Sequence, residues 1–382
     1  MKQYRIEHIC TIKSSRRIFA NQYSTKGVPF FRGKEITQLS IGNTVENPLY
    51  ISEKSFSDIM RNGTPQIDDI LITAVGTIGS VWKVNIDTPF YFKDGNIIWL
   101  SNIDKNIVIP TFLKYYLQSK TFQHRIEEIS IGSTQKALTI DAIKKEVVIL
   151  PCIETQQHIV DILGSIDYSI ENNQSIMAKL IELGKRILQK AYSEQRYKKK
   201  RLGDCLCLLK DGTHNPPARV ENGIPLITGQ TIDNGFIVYD KMTYIKESDY
   251  KKIHNRYAPS NNDLIITKIC TLGKVAILRK QDIPIALHCN SALLRFTEMS
   301  PAVAFFVLNS DEFQNEFHQK KNRTVQEFIN LEQIGNLELL YPELNNDEQN
   351  LLIDLLDRIS LIEEENKKKA ELKHLYLKEF FG

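Results

Sequence analysis

Residues 69–81 read DILITAVGTIGSV, and residues 263–275 read DLIITKICTLGKV. Six of the thirteen positions are identical, and four more exchange one aliphatic residue for another. Ile70-Leu71-Ile72-Thr73 and Leu264-Ile265-Ile266-Thr267 are short apolar runs, which predicts a buried strand in each copy. Gly79 and Gly273 predict a tight turn into a second strand, Val81–Val84 or Val275–Leu278. The match extends in both directions. Upstream, GVPFFRGKEI from Gly27 answers GIPLITGQTI from Gly223, and downstream Asn96 answers Asn290. Later, Phe122-Gln123 answers Phe313-Gln314, and Ser133-Thr134-Gln135 resembles Thr324-Val325-Gln326. Ordered matches at a nearly fixed offset are the signature of a tandem repeat.

Each copy runs on into a second kind of segment. After Pro151 the apolar residues Ile159, Leu163, Ile166, Ile170, Met177, Leu180, Ile187 and Ala191 fall on alternating steps of four and three once Asn173 and Gly184 are included. That is a heptad seam on a long helix, about 60 Å for 40 residues. Thr155 is placed to cap its start. The C-terminal segment repeats the pattern through Leu352, Leu355, Ile359, Ile362 and Asn366, until Lys367-Lys368-Lys369 breaks it. Asn173 and Asn366 take matching seam positions, where a polar residue fixes register at a cost in stability. The expected organisation is globular (1–150), helical (151–198), globular (199–341), helical (342–382). The globular parts read as mixed α/β, with helices over Pro110–Gln123 and Pro301–Phe317. Two matched seams predict that the long helices pair with each other. Packing of each helix on its own globular part is the alternative.

Composition narrows the class. The chain has 382 residues, 42% hydrophobic and 25% charged, as in an ordinary globular protein. No apolar run reaches the roughly 18 residues of a membrane span. The first ten residues are polar and charged, unlike a secretory signal, so a cytoplasmic location with reduced, buried cysteines is expected. Net charge is +3, but residues 1–150 hold 19 Lys and Arg against 14 Asp and Glu, and the last 42 hold 6 against 10. Any binding face is therefore local.

Catalytic motifs are scarce. There is no glycine-rich phosphate loop, no Gly-x-Ser-x-Gly elbow and no metal-ligand spacing among eight histidines and six cysteines. Cys205 and Cys207 alternate around Leu206, as core residues on one strand face would. Asn215-Pro216-Pro217-Ala218 shares three residues with the tetrad of amino-methyltransferases, but Ala218 stands where an aromatic would stack on a flipped base. Glu371-Leu372-Lys373 imitates a nuclease motif in letters only and reads as a solvated charged pair on a helix. No catalytic or metal residue is expected.

What remains are polar loops at matched positions. In the first copy these carry Arg16, Arg17, Arg32, Lys34, Thr77, Gln135 and Lys136. In the second they carry Thr213, His214, Thr228, Gln230, Thr271 and Gln326. Arginine pairs with guanine, amides pair with adenine, and lysine or threonine contacts phosphate. Loops that differ on frames that agree suit two readers of two different DNA sequences.

Three stretches carry a family resemblance: GSTQKALTIDAIKK (132–145) running into LPCIETQQHIVDIL (150–163), DGTHNPP (211–217), and GIPLITG (223–229). With them the chain resembles, over essentially its whole length, a specificity subunit of a type I DNA restriction–modification system. The usual helix-start motif ends in Glu-Gln. Here it is Gln156-Gln157 in the first copy and Glu348-Gln349 in the second. The second copy has Arg323-Thr324-Val325-Gln326 in place of a clear Gly-Ser-Thr-Gln-Lys. The resemblance implies two target recognition domains, each reading half of a bipartite, asymmetric site on double-stranded DNA. It implies an antiparallel coiled coil of the two long helices as the spacer. It also implies docking of two adenine methyltransferase subunits and of restriction subunits. S-adenosylmethionine, ATP and magnesium belong to those partners, with no cofactor in this chain. Two other classes stay open: a single-chain methyltransferase or nuclease, and a coiled-coil scaffold without a DNA role.

Overall fold

The computed structural model describes residues 2–45, 47–60, 63–132, 136–215, 217–233, 235–239, 242–255, 257–269, 271–321 and 327–382. The chain forms two compact units, residues 1–172 with 365–382 and residues 173–364. Each unit thus combines a globular part with portions of both long helices, a different cut from the four segments read along the sequence.

In the first unit a four-stranded antiparallel sheet has the order Thr11–Lys13, Ile97–Ser101, Ile70–Thr73, Val81–Lys83. The predicted strand Ile70–Thr73 is fully buried. A second sheet runs Tyr23–Ser24, Leu49–Ile51, Val28–Phe31, Tyr91–Phe92, its last pair parallel. Lys2–Arg5 pairs with Val147–Leu150 immediately before the first long helix. The second unit repeats the plan. Its main sheet has the order Leu206–Asp211, Ser291–Phe296, Leu264–Thr267, Val275–Ile277, and its smaller sheet again ends in a parallel pair, Ile224–Ile227 with Ala286–Leu287. Tyr197–Arg201 pairs with Glu338–Pro342 before the second long helix.

The two segments expected as single helices are each broken in two. Pro110–Gln118 and Lys120–Ile129 are separated by Ser119, whose hydroxyl accepts from the Phe122 N–H and caps the second piece. Pro301–Leu308 and Asp311–Gln319 are broken at Asn309-Ser310, and Ser310 caps in the same way. A serine that satisfies a free helix N–H offers the backbone an exit that apolar spacing does not reveal.

The first long helix spans Ile153–Ser193 and the second Asn346–Phe381. Thr155 lies inside the first turn rather than at the cap, and the Gln156 N–H bonds back to the Cys152 carbonyl. Gln156 is wholly buried. Its carbonyl accepts from the Ile109 N–H at 2.9 Å, while its amide donates to the Ile107 and Pro151 carbonyls at 3.0 Å each. At the corresponding place in the second unit, Glu348 caps its own helix through Asn345 and takes both arms of Arg196, at 2.8 and 2.9 Å. An amide suits backbone partners of both kinds, whereas a carboxylate suits a guanidinium fork.

Within each unit the helices pack together antiparallel. In the first, the register broken by Lys367-Lys368-Lys369 continues, with Lys369 and Lys373 in seam positions. Lys373 reaches Asp167 at 2.6 Å and Lys369 bonds to the Ser169 hydroxyl at 2.5 Å. Lys373 is therefore a half-buried ion-pair partner across the helices, not a solvated neighbour of Glu371. Tyr115 and Lys114 also converge on Asp167, at 2.8 and 3.7 Å, and burial lowers the Lys114 ammonium's pKa against the pull of that carboxylate. Beyond this node Phe381 packs edge-on against Phe112 and Tyr116.

In the second unit the contact is apolar. Met177 and Leu188 share one core with Leu352, Leu355, Leu356 and Ile359. Leu188 and Ala191 are buried in the last turns while Ile187 is half-buried, as expected once the 3.6-residue helix drifts from a strict heptad. Gly184 packs on the globular part instead, where a Cβ would lie 2.2 Å from the Phe306 ring of the helix Pro301–Leu308. The seam residues Ile159, Leu163, Ile166, Asn173, Leu352, Leu355 and Ile359 are buried, and Ile170, Leu180, Ile362 and Asn366 are half-buried. They are consumed inside the units, so a docking partner would meet other faces of these helices. Among the described residues no helix is long and apolar enough to cross a membrane. Of the cysteines, Cys10 and Cys205 are buried but Cys152 and Cys207 are exposed. A register shift between Leu206 and Leu208 separates Cys205 from Cys207, which ends up outside the core.

Candidate nucleic-acid interface

Each central hairpin turn is held by the same three devices. The hydroxyl of Thr73 donates to the Thr77 carbonyl and accepts from the Ser80 N–H; Thr267 does so with Thr271 and Lys274. Gly79 and Gly273 have φ of +88° and +82°, and a Cβ on either would fall within about 2.5 Å of a glutamine oxygen. Those glutamines are Gln123 and Gln314. Each donates to the turn glycine's carbonyl at 2.9 Å and to the last turn of the preceding helix, at Leu117 or Leu308.

Around this turn the sequence-predicted loops gather. In the first unit the Ala74 N–H bonds to the Asn96 carbonyl at 2.7 Å, and the Ala74 carbonyl takes the Leu138 N–H at 2.9 Å. Ala137 bridges both Val75 and Ile131. Ser14 donates to Ile97 and accepts from the Gly95 N–H. Thr37, on the helix that starts at Gly33, meets Ser80 at 3.1 Å. The loops holding residues 14–17, 32–34, 74–79, 94–97, 131–132 and 136–138 therefore lie at one end of the main sheet. The second unit repeats this. Lys268 bonds to Asn290 and Ile329, Ile269 bridges Phe328, Thr213 bridges His288, and Thr271 reaches the Gly229 carbonyl.

The predicted site residues differ in how free they are. Arg16, Lys34, Thr77 and Lys136 are exposed in the first unit, as are His214, Gln230 and Thr271 in the second. Arg17 is exposed but pairs with Asp94 at 3.0 Å. The Arg32 fork is committed to Glu35, at 2.7 and 3.1 Å, and the Glu35 carboxylate also accepts from the Arg32 backbone N–H at the start of the helix beginning at Gly33. Burial raises the Glu35 carboxyl, but the Arg32 hydrogen bonds and charge outweigh it and leave the pKa below the ordinary value. Thr213 donates to the Asn215 carbonyl, and the Thr228 N–H is tied to Thr231, so both shape their loops. Gln135 and Gln326 lie outside the described residues. The basic run after Tyr197 is already paired, Lys198 with Glu343, Lys199 with Glu338 and Lys200 with Glu298. Exposed Arg16, Lys34 and Lys136 at the loop end of the first unit have no such ion pair among the described residues. One group of this end escaped the sequence reading. Lys268 is 5% exposed, and its ammonium lies 3.2 Å from Asp211. The signal was the exchange of Ala74 for Lys268 inside an otherwise matching stretch.

Two equivalent loop clusters on one frame are what a duplicated recognition domain requires. The family profile described as "Type I restriction modification DNA specificity domain" matches residues 1–182 and again 197–374. The chain belongs to this family. A putative type I restriction enzyme specificity subunit of Haemophilus influenzae is 30% identical over 159 residues, 41% of this chain and 37% of that protein. Among solved structures, the S subunit of a type I restriction–modification system from M. genitalium overlays with a TM-score of 0.52 at 16% identity, covering 100% of this chain and 96% of that one. That likeness is one of fold. The HsdS subunit of Thermoanaerobacter tengcongensis, at 13% identity and a TM-score of 0.38 over 100% and 96% of the two chains, adds no further argument. The type I specificity family thus contains this chain through both of its repeats.

Proposed function

We propose that this chain is the DNA specificity subunit of a type I restriction–modification complex, itself without catalytic residues. The observation that carries the reading is the pair of equivalent loop clusters, alike in frame and different in exposed side chains. In this reading each cluster reads one half of a bipartite, asymmetric site. Exposed Lys34 and Lys136 meet phosphate, and the polar side chains at the turn face base edges. The long helices set the spacing of the half-sites, as the distance between two readers on DNA must. Their outward faces, including Tyr168, Leu361 and Leu375, remain exposed and offer surface to two methyltransferase subunits and to restriction subunits. S-adenosylmethionine, ATP and magnesium would act on those partners, in the cytoplasm.

The test is a genome-wide map of N6-methyladenine in cells expressing this chain with the methyltransferase encoded beside it, against cells lacking this chain. A new split motif with a fixed unspecified spacer is the expected result. No new motif, with both proteins present and soluble, would count against the proposal. Methylation by the purified chain alone would instead establish the single-chain enzyme.

A further inference from the structure

Strand register allows the two reading ends to be compared residue by residue. Lys13 pairs with Trp99 and Lys210 with Leu293, while Leu71 pairs with Trp99 and Ile265 with Leu293. Lys210 therefore corresponds to Lys13, Asp211 to Ser14, and Lys268 to Ala74. In the first unit, Ser14 ties two backbone groups together and Ala74 is small, so these two positions close the sheet without pairing charges with each other. In the second unit the same two positions carry a carboxylate and a buried ammonium 3.2 Å apart.

A buried ion pair is a weak source of stability, because desolvating both groups offsets most of their attraction. The first unit, with Ser14 and Ala74, demonstrates that the frame does not need one at these two positions. The pair must therefore be explained by what it presents. One Asp211 oxygen, Oδ2, is held by Lys268 at 3.2 Å and by His214 at 3.3 Å. The side chain retains 19% exposure, so the carboxylate is partly accessible from outside the unit. A carboxylate on a DNA-facing surface is repelled by phosphates. It is useful there when it accepts a hydrogen bond from a base, and the donors in the major groove are the exocyclic amino groups of cytosine and adenine. Lys268 supplies the local positive charge that lets the carboxylate approach DNA, and it fixes the carboxylate's orientation.

Resting on the proposed reading of this chain, we infer that Asp211 accepts a hydrogen bond from an exocyclic amino group, cytosine N4 or adenine N6, in the half-site read by the second unit. Lys268 is its positioning residue. The two units then read by opposite chemistry, the first through cations and hydroxyls and the second through an acceptor.

The experiment uses the assembled complex with its methyltransferase. The double variant Asp211→Ser with Lys268→Ala gives the second unit the residues with which the first unit closes, so folding should be retained. Its methylation map should keep the spacer and one half-site, while a single base pair of the other half-site becomes degenerate. Whether that pair carries cytosine or adenine on the contacted strand identifies the amino group. Asp211→Asn, which introduces a competing donor, should lower methylation of the cognate duplex about tenfold against duplexes altered at that pair. A motif unchanged at every position would overturn the inference. So would loss of the entire motif from an assembled complex, which would make the pair structural. If the unaltered complex produces no split motif, the failure lies with the proposed function and not with Asp211.

Discussion

The central hairpin of the first unit and that of the second are closed by the same atoms, yet the residues that surround them have diverged. Thr73 and Thr267, Gly79 and Gly273, and Gln123 and Gln314 perform the same bonds at nearly the same distances. Against this, Ser14 and Ala74 have become Asp211 and Lys268, and exposed Met60 has become buried His254. The helix contacts diverge too, through a polar node at Asp167 in one unit and apolar packing around Ile359 in the other. A backbone at positive φ with a carbonyl aimed inward accepts few residues, so those positions stay fixed. A position that faces a loop, or that can be filled by either charge or bulk, is free to change. Three measurements can break or sharpen this division.

The largest expected asymmetry concerns His254. It is 8% exposed, and its Nε2 faces the Leu287 N–H at 3.4 Å, between the rings of Tyr250 and Tyr257. Burial lowers its pKa from 6.5 to about 4. Because the folded value is depressed, the unfolded chain takes the proton first. The stability is thus fully present above pH 6.5 and is lost as pH falls toward 4. The loss is on the order of 3 kcal/mol from this residue. The first unit has Met60, 54% exposed, at this position and so has no such contribution. Hydrogen exchange followed separately in the two units between pH 7 and 4 should show acid loosening of the second unit that His254→Gln reduces. An unaltered acid slope in that variant would remove His254 as its cause.

A middle-sized effect tests the shared frame. Gln123→Ala and Gln314→Ala each strip two carbonyls of a donor, a loss of about 2 kcal/mol in either unit. Near-equal loss of protection at Ile70–Thr73 and at Leu264–Thr267, each confined to its own unit, is the expected result. A much larger loss in one unit would show that the clamps are not equivalent in energy, however alike their geometry.

Much of this frame was legible in the sequence, because a repeat compares a chain with itself. The strands Ile70–Thr73 and Leu264–Thr267, the turn glycines and the pairing of long helices all follow from aligned letters and apolar spacing. The breaks at Ser119 and Ser310 did not, since a serine cap interrupts a helix without disturbing its periodicity. Lys373 was misread because charge on a helix ordinarily means solvent, and only the fold brings Asp167 opposite it. Arg32 illustrates the same limit at the candidate site. Its type suggests DNA, but Glu35, one turn along the helix, claims the guanidinium. The Lys268–Asp211 pair joins residues 57 apart whose proximity depends on strand order, which spacing along the chain does not encode.

The smallest expected effects are at exposed loop residues, and they test whether divergence there has functional content. Lys34 and Lys136 are exposed in the first unit and Gln230 in the second. If the lysines meet phosphate, Lys34→Ala and Lys136→Ala should each weaken binding of the assembled complex by a few-fold at moderate salt. Each should also lower the slope of log affinity against log salt by about one, leaving base preferences intact. Gln230→Ala should leave the salt slope alone and relax preference at one position of the other half-site, because an amide reads base edges without releasing counterions. Titrations against duplexes altered in one half-site at a time, at two salt concentrations, separate these outcomes. The same response to all three variants would mean that the two loop clusters contribute charge alone, and that their differing side chains carry no sequence information.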